Sequence, residues 1–413
     1  MMTRNRILWT LAGAAVASLG TAPEAGAVSQ WSRKYEVSCS MCHTVVPRIN
    51  YYGERFMRNG YQLPDTQDGD ETGKKVEGRA VIDQIGNVLG LRINVTALNA
   101  TTNTLTVNGG TRTQVSFGSP NWVHFYVGGS IFKNVSVYIE PELSASGGSS
   151  LTWFKVGLHN LFGNGSANLL VGKFSPLEWT SLNGKARLIP PRIEAYTGIV
   201  SSDNKGEDSV NVYSGRPSVA FYGYRESKSL GVVYSVGATP GSQLVDPNQL
   251  RHYWGTLRLE SASGPIEGSS VSMMAYFGKD AKDSKAAQKT NEFRRYVPAV
   301  NLRWKNLDVL GAYVWGKDDN WAFAAPAAAQ DSHGFTVQAG YQVADPWYAV
   351  LQFDEVGFDG LPARDYRKLT PSIWYVPREN MKIGFLARMD LLDDPITHPK
   401  KLHEFTVILR AMF

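Results

Sequence analysis

The sequence predicts an all-β fold, a 16-stranded transmembrane β-barrel over residues 89–413. Three observations predict it. From Leu89 onward apolar and polar residues alternate with period two, which gives a strand one apolar and one wet face. The alternating segments run about ten residues, the length a tilted strand needs to cross a bilayer. Their connections alternate between short and long, as in barrels with tight turns at one rim and loops at the other.

The last segments show the pattern best. Phe405, Val407, Leu409, Ala411 and Phe413 form one face, against Glu404, Thr406, Ile408, Arg410 and Met412 on the other. Before it, Ile383, Phe385, Ala387, Met389 and Leu391 alternate with Lys382, Gly384, Leu386, Arg388 and Asp390. Sixteen candidate strands lie near 89–99, 122–131, 134–144, 152–161, 166–174, 209–222, 229–238, 251–261, 269–278, 293–304, 307–316, 333–343, 347–355, 366–376, 381–391 and 402–413. Phe132-Lys133, Lys305-Asn306 and Ala344-Asp345-Pro346 read as tight turns, and 100–121, 175–208, 279–292 and 317–332 as long loops. Trp304, Trp315, Trp347 and Trp374 sit near strand ends, where aromatic girdles meet the membrane interface. The terminal Phe413 resembles the C-terminal signature of bacterial outer-membrane proteins. Lipid of that membrane is therefore an expected partner. In sixteen-strand porins, which this layout resembles, the loop after the fifth strand folds into the lumen; here that loop is 175–208.

Composition agrees. Across 413 residues there are 40 glycines, 11% aromatic residues and a net charge of +5 that is not clustered, so no nucleic-acid partner is expected. Arg4 and Arg6, the apolar stretch Ile7 to Ala22, and Ala25-Gly26-Ala27 read as a secretory signal over 1–27.

The chain has two cysteines, in Cys39-Ser40-Met41-Cys42-His43. C-x-x-C-H is the attachment signature of a c-type haem. Two thiols add to the two porphyrin vinyl groups, and the adjacent histidine becomes the proximal iron ligand. A structural zinc site needs about four ligands, and no second cysteine pair exists. A thioredoxin-like dithiol belongs in a βαβ context. The haem segment is 28–64, and Asp65 to Lys75 opens a solvated linker over 65–88. A segment below about 40 residues rarely folds unaided. The expectation is a short helical haem segment that plugs the barrel lumen from the periplasmic side.

The stretch Ala27-Val28-Ser29-Gln30-Trp31-Ser32-Arg33-Lys34-Tyr35-Glu36-Val37-Ser38-Cys39-Ser40-Met41-Cys42-His43 continues through Pro47, Asn50, Gly53, Phe56 and Asn59-Gly60-Tyr61. It resembles the monohaem outer-membrane cytochrome–porin fusions, best known for iron(II)-oxidising members. Ser29 and Trp31 depart from that pattern, where the family often has Pro and Phe. The resemblance implies a conduit that takes electrons from an extracellular one-electron donor such as Fe(II) and passes them to a periplasmic carrier, a soluble cytochrome or similar. That activity is Fe(II):cytochrome c oxidoreduction. Alternatives are outward flow, another donor, or a diffusion porin with a structural haem plug.

Further candidates follow from position. The sixth iron ligand is a His or a Met, or the position stays open. His124 shares a face with Trp122 and Tyr126 and points into the lumen, as distal ligand or as a hydrated lumen histidine. Met57 lies on a helix beyond His43, as distal ligand or packing residue. His159, His252, His333, His398 and His403 read as loop, strand-end or interface residues. Asp318, Asp319, Asp354 and Glu355, with Asp359, Asp393 and Asp394, lie near external strand ends, as contacts for a cation or as solvated surface. Arg303, Arg388 and Arg410 face the lumen, to meet haem propionates or to line a wet channel.

Overall fold

The computed structural model describes residues 29–45, 48–64, 74–75, 81–82, 85–116, 122–145, 147–184, 193–200, 211–240, 252–281, 290–323 and 327–413. The expected signal segment, Pro47 and most of the linker lie outside the described residues.

The N-terminal segment carries two helices, α1 (Gln30–Tyr35) and α2 (Tyr51–Arg58). The barrel follows. Its strands are β1 (Leu89–Leu105), β2 (in two pieces, Thr111–Ser116 and Trp122–Phe132), β3 (Val135–Ser144), β4 (Ser149–Leu158) and β5 (Asn168–Phe174). A short helix, α3 (Glu194–Thr197), lies in the next loop. Then come β6 (Arg216–Glu226), β7 (Leu230–Thr239), β8 (His252–Ser261), β9 (Ser270–Ala281), β10 (Thr290–Trp304) and β11 (Leu307–Asp318). The last five are β12 (Gln330–Ala344), β13 (Trp347–Phe358), β14 (Tyr366–Arg378), β15 (Met381–Asp390) and β16 (Lys400–Met412).

The two pieces of β2 pair one after the other along β1, so they form one interrupted stave. Each neighbouring pair is antiparallel, and β16 pairs back onto β1 from Met412↔Arg92 to Lys400↔Leu105. The result is the closed sixteen-stave barrel that the alternation predicts. Closure leaves no sheet edge unpaired, which a bilayer requires. Two expectations on bounds change: most of the expected loop 100–121 is strand, since β1 runs on to Leu105 and the first piece of β2 pairs with it over Thr111–Ser116, and one strand starts later than expected. The sixth strand begins at Arg216 rather than near 209, because the Asn211 side chain accepts from the Tyr213 and Ser214 amides and holds a turn there.

Alternation resolves into an outer and an inner face. Val236 is 60% exposed, Leu257 53% and Val271 55%. Their inward neighbours Ser235, Thr256 and Ser272 are buried. Apolar chains bared on this scale suit lipid, since water exposure costs about 25 cal/mol per Å². Trp304, Trp315 and Trp347 point outward as a girdle should. Trp374 does not: it is 1% exposed, its neighbour Ile373 takes the outer face, and Lys382 lies over its ring at 4.4 Å. Gly384 opposite it leaves the room a large inward ring needs.

The loop after β5 does fold inward. Leu177, Leu182, Ile193, Ala195, Tyr196 and Ile199 are each 0–1% exposed. They pack with Met274, Leu310, Val314 and Val350 on the inner faces of β9, β11 and β13. Its polar groups are tied too: Ser270 donates to Ser181 at 2.9 Å, and the Ala195 amide to Thr336 at 3.2 Å.

The N-terminal segment meets inward-facing charges at the short-turn rim. Arg48, fully buried, donates to Asn301 at 2.7 Å and to Asp308 at 3.1 Å. Glu54 pairs with Arg258 and, at 2.9 Å, with Arg303. Arg58 pairs with Glu260 at 2.6 Å, and Tyr51 donates to Glu226 at 3.0 Å. Burial raises the Glu54 pKa, but Arg258, Arg303 and Arg48 outweigh it and hold the carboxyl below its ordinary value.

Glu54→Gln leaves two buried guanidiniums facing a neutral amide. Docking of residues 29–64 then weakens by about 3–5 kcal/mol, while the barrel stays folded. Limited proteolysis measures this: the segment is cut much faster in the variant, and the unheated gel mobility is unchanged. The sign with pH follows from the lowered pKa. The contribution is present above the ordinary Glu value of about 4.3 and is lost as pH falls through the lower folded value. Equal protease resistance in both proteins contradicts the clamp.

Candidate functional site

The haem motif is built by local hydrogen bonds. Ser38 starts a 3-10 turn over Cys39–Met41, closed by the Cys42 amide donating to Cys39 O at 3.2 Å. His43 opens a two-stranded ribbon, His43–Val45 against Arg48–Ile49. Asn50 ties this to α2. Its side chain accepts from the Gly53 amide at 2.9 Å and donates to Met41 O at 3.0 Å, while its own amide donates to Cys42 O at 2.9 Å. A Cβ on Gly53 would lie 2.3 Å from Cys42 O, so only glycine lets α2 pack this close. Gly60 has φ +72°, and a Cβ there would strike the His159 ring.

An aromatic stack joins the segment to the barrel wall. Trp31 stacks on Tyr61 at 4.9 Å, and Tyr61 on Tyr138 of β3 at 5.8 Å. Phe56 meets Trp31 edge-on at 5.7 Å. Cys42 and Met57 pack against the same cluster.

Between segment, inserted loop and wall lies a cavity of about 780 Å³. That is the size of a ligand pocket, about 300–1,000 Å³. Cys42, His43, Met57 and His124 all line it. Cys39 borders a smaller recess that shares Trp31, Cys42, His43 and Phe56 with the large one. The structure thus brings together four of the five residues proposed to touch the haem or its iron on one cavity, with the fifth adjoining.

His124 is 4% exposed and inward-facing, as its parity predicts. Its Nδ1 faces Glu140 at 2.7 Å and its Nε2 faces Glu142 at 3.2 Å. Each ring nitrogen thus lies within 3.2 Å of a glutamate carboxylate. Met57 lies one helical turn beyond Gly53, on the face of α2 that abuts Cys42.

Of the lumen arginines, Arg388 and Arg410 line the cavity. Arg388 pairs with Glu194 and, at 3.3 Å, with Glu404. Arg410 donates to Asn94 at 3.0 Å. Arg303 instead serves the clamp on Glu54. His159 binds Ser136 at 2.7 Å and Tyr222 at 2.8 Å. Burial lowers its pKa to about 4, with nearby Lys155 adding to the effect, which suits a neutral bridging ring.

The acidic set is corrected. Asp318 is buried and paired with Arg295 at 2.8 Å. Asp354 is buried and accepts from Thr336 at 2.7 Å and Gln352 at 2.6 Å. Glu355 pairs with Arg367 at 3.0 Å, and Asp319 is exposed. The parity of the strands separates them, inward for Asp318 and Asp354 and outward for Asp319 and Glu355. Among the described residues no three His, Cys, Asp or Glu side chains form a group able to hold a metal ion.

The residues around the motif fit a covalent haem. Cys39 and Cys42 are not disulfide-bonded. Burial pushes both thiols up, Cys42 to about 11, whereas a redox-active dithiol works from a lowered pKa. Trp31, which lines the cavity, has a buried Nε1 with no hydrogen-bond partner among the described residues. Sequence reasoning missed Arg92, Glu140 and Glu142 on this wall. Their signal was the same parity that picked out His124.

No family model matches the chain, and no curated protein matches it. Among solved structures, an anion-selective porin from Comamonas acidovorans is similar, with a TM-score of 0.56 at 11% identity, over 79% of this chain and 99% of that one. Salmonella typhi OmpF, solved in complex with daunomycin, is similar with a TM-score of 0.51 at 10% identity, over 79% of this chain and 97% of that one. At such identities the likeness is one of fold: this chain has the barrel of outer-membrane porins.

Proposed function

We propose that this chain is an electron conduit of the bacterial outer membrane, with one c-type haem bound through Cys39 and Cys42 and His43 on the iron. The observation that carries the reading is the C-x-x-C-H motif with Cys42 and His43 on the wall of the lumen cavity. When bound, the haem supplies a one-electron carrier. The clamp around Glu54 and the Trp31–Tyr61–Tyr138 stack hold the motif at the short-turn rim, which faces the periplasm in barrels of this type. A bilayer core about 30 Å thick is too wide for efficient single-step tunnelling. A carrier placed in the lumen shortens that gap between an extracellular donor, Fe(II) or another one-electron donor, and a soluble periplasmic acceptor. The family resemblance supports Fe(II) as donor and Fe(II):cytochrome c oxidoreduction as the activity.

The sixth iron ligand in this reading is Met57. It shares the motif's hydrophobic cluster, while both His124 nitrogens face glutamates.

A second reading is a diffusion porin with a structural haem plug. The fold likeness to outer-membrane porins favours it, as does the polar cavity wall, where Arg92, Lys155 and Arg388 pair with Glu140, Glu178 and Glu194. Solute permeation separates the two readings.

A denaturing gel of the exported protein stained for haem should show one band, and Cys39→Ala or Cys42→Ala should abolish or greatly weaken it. Complete loss of haem from the wild type on acid–acetone extraction rules out covalent attachment. Met57→Leu should turn a low-spin spectrum high-spin, and His124→Ala should leave the spin state unchanged. The opposite pattern gives the sixth position to His124.

A further inference from the structure

The turn between β14 and β15 reaches the haem motif from the far end of the chain. Ser38 shares its one hydroxyl hydrogen between the two carboxylate oxygens of Glu379, at 2.7 and 2.6 Å, across 341 residues of sequence. The Ser40 amide donates to the same carboxylate at 3.4 Å. These two serines flank Cys39, the first anchoring thiol. The turn itself is fixed: Asn380 donates to Met412 O at 2.9 Å, and the Met412 amide returns a bond to Asn380 O at 2.9 Å. Asn380 and Met412 also line the recess beside Cys39. Slight burial raises the Glu379 pKa, and hydrogen bonds from Ser38 and Ser40 outweigh it, so the group is ionised at neutral pH. At the β10–β11 turn of the same rim, Lys305-Asn306, the neighbouring Arg303 and Asp308 hold α2 and the ribbon instead, through Glu54, Ile49 and Arg48.

We infer that Glu379 is a positioning residue of the barrel that docks the Cys39 end of the haem motif and sets its redox potential through a fixed negative charge. The inference rests on the covalent-haem reading. Oxidation of a haem iron adds one positive charge, and a carboxylate held beside the attachment site stabilises that oxidised state. Its presence therefore lowers the potential. Glu379 is exposed, so salt screens its effect.

The test is a spectroelectrochemical titration of the full-length holoprotein at low and high salt. Glu379→Gln keeps an acceptor for Ser38 and removes the charge; its midpoint potential should rise. Glu379→Lys should raise it further, and both shifts should shrink at high salt. Hydrogen exchange at residues 38–40 should quicken in Glu379→Ala, which removes the acceptor as well. A haem-bearing Glu379→Gln whose potential equals the wild type at low salt overturns the inference. Wild-type protein without covalent haem overturns the reading beneath it instead, so the two failures are distinct.

Discussion

Sixteen strands close around more space than their own side chains can fill. Everything else in this molecule answers that constraint. On one side of the lumen the loop after β5 supplies an apolar filling of Leu177, Leu182, Tyr196 and Ile199. At the short-turn rim the N-terminal segment supplies a charged one, in which Arg48, Glu54 and Arg58 meet Asp308, Arg258 and Glu260. A large cavity remains between them. It lies along β1 to β4 and β14 to β16, with Cys42 and His43 on its wall.

The two fillings are chemically different because their partners are. The inserted loop meets the inner face at Met274, Leu310 and Val350, so burial of apolar area holds it. The N-terminal segment meets Arg258, Glu260, Arg303 and Asp308, and paired charges fix its orientation as well as its place. A segment too short to fold unaided thus acquires an electrostatic register from the barrel.

Much of this was legible in the sequence, for physical reasons. Period-two alternation is imposed by lipid outside and water inside, so strands and their facing, including that of His124, could be read directly. The C-x-x-C-H spacing is the one that attachment of a c-type haem requires. Gly53 and Gly60 are imposed by contact, with Cys42 O and the His159 ring respectively. What could not be read depends on distant pairings. The Glu54–Arg258 and Ser38–Glu379 contacts join residues whose nearness follows only from closure of the barrel. Nearness to a strand end suggests a girdle position for Trp374, but its parity with Ser372 and Val376 points it inward. Nearness to the external rim suggests exposed acids, but Asp318 and Asp354 turn inward to Arg295 and Thr336.

The central claim is that electrons, and not solutes, cross this barrel. Proteoliposomes that enclose a ferric soluble cytochrome, with Fe(II) added outside, test it directly. The account predicts reduction of the enclosed cytochrome that depends on His43, together with slow entry of small neutral sugars. Rapid sugar entry with the enclosed cytochrome still oxidised contradicts it and makes the protein a diffusion porin.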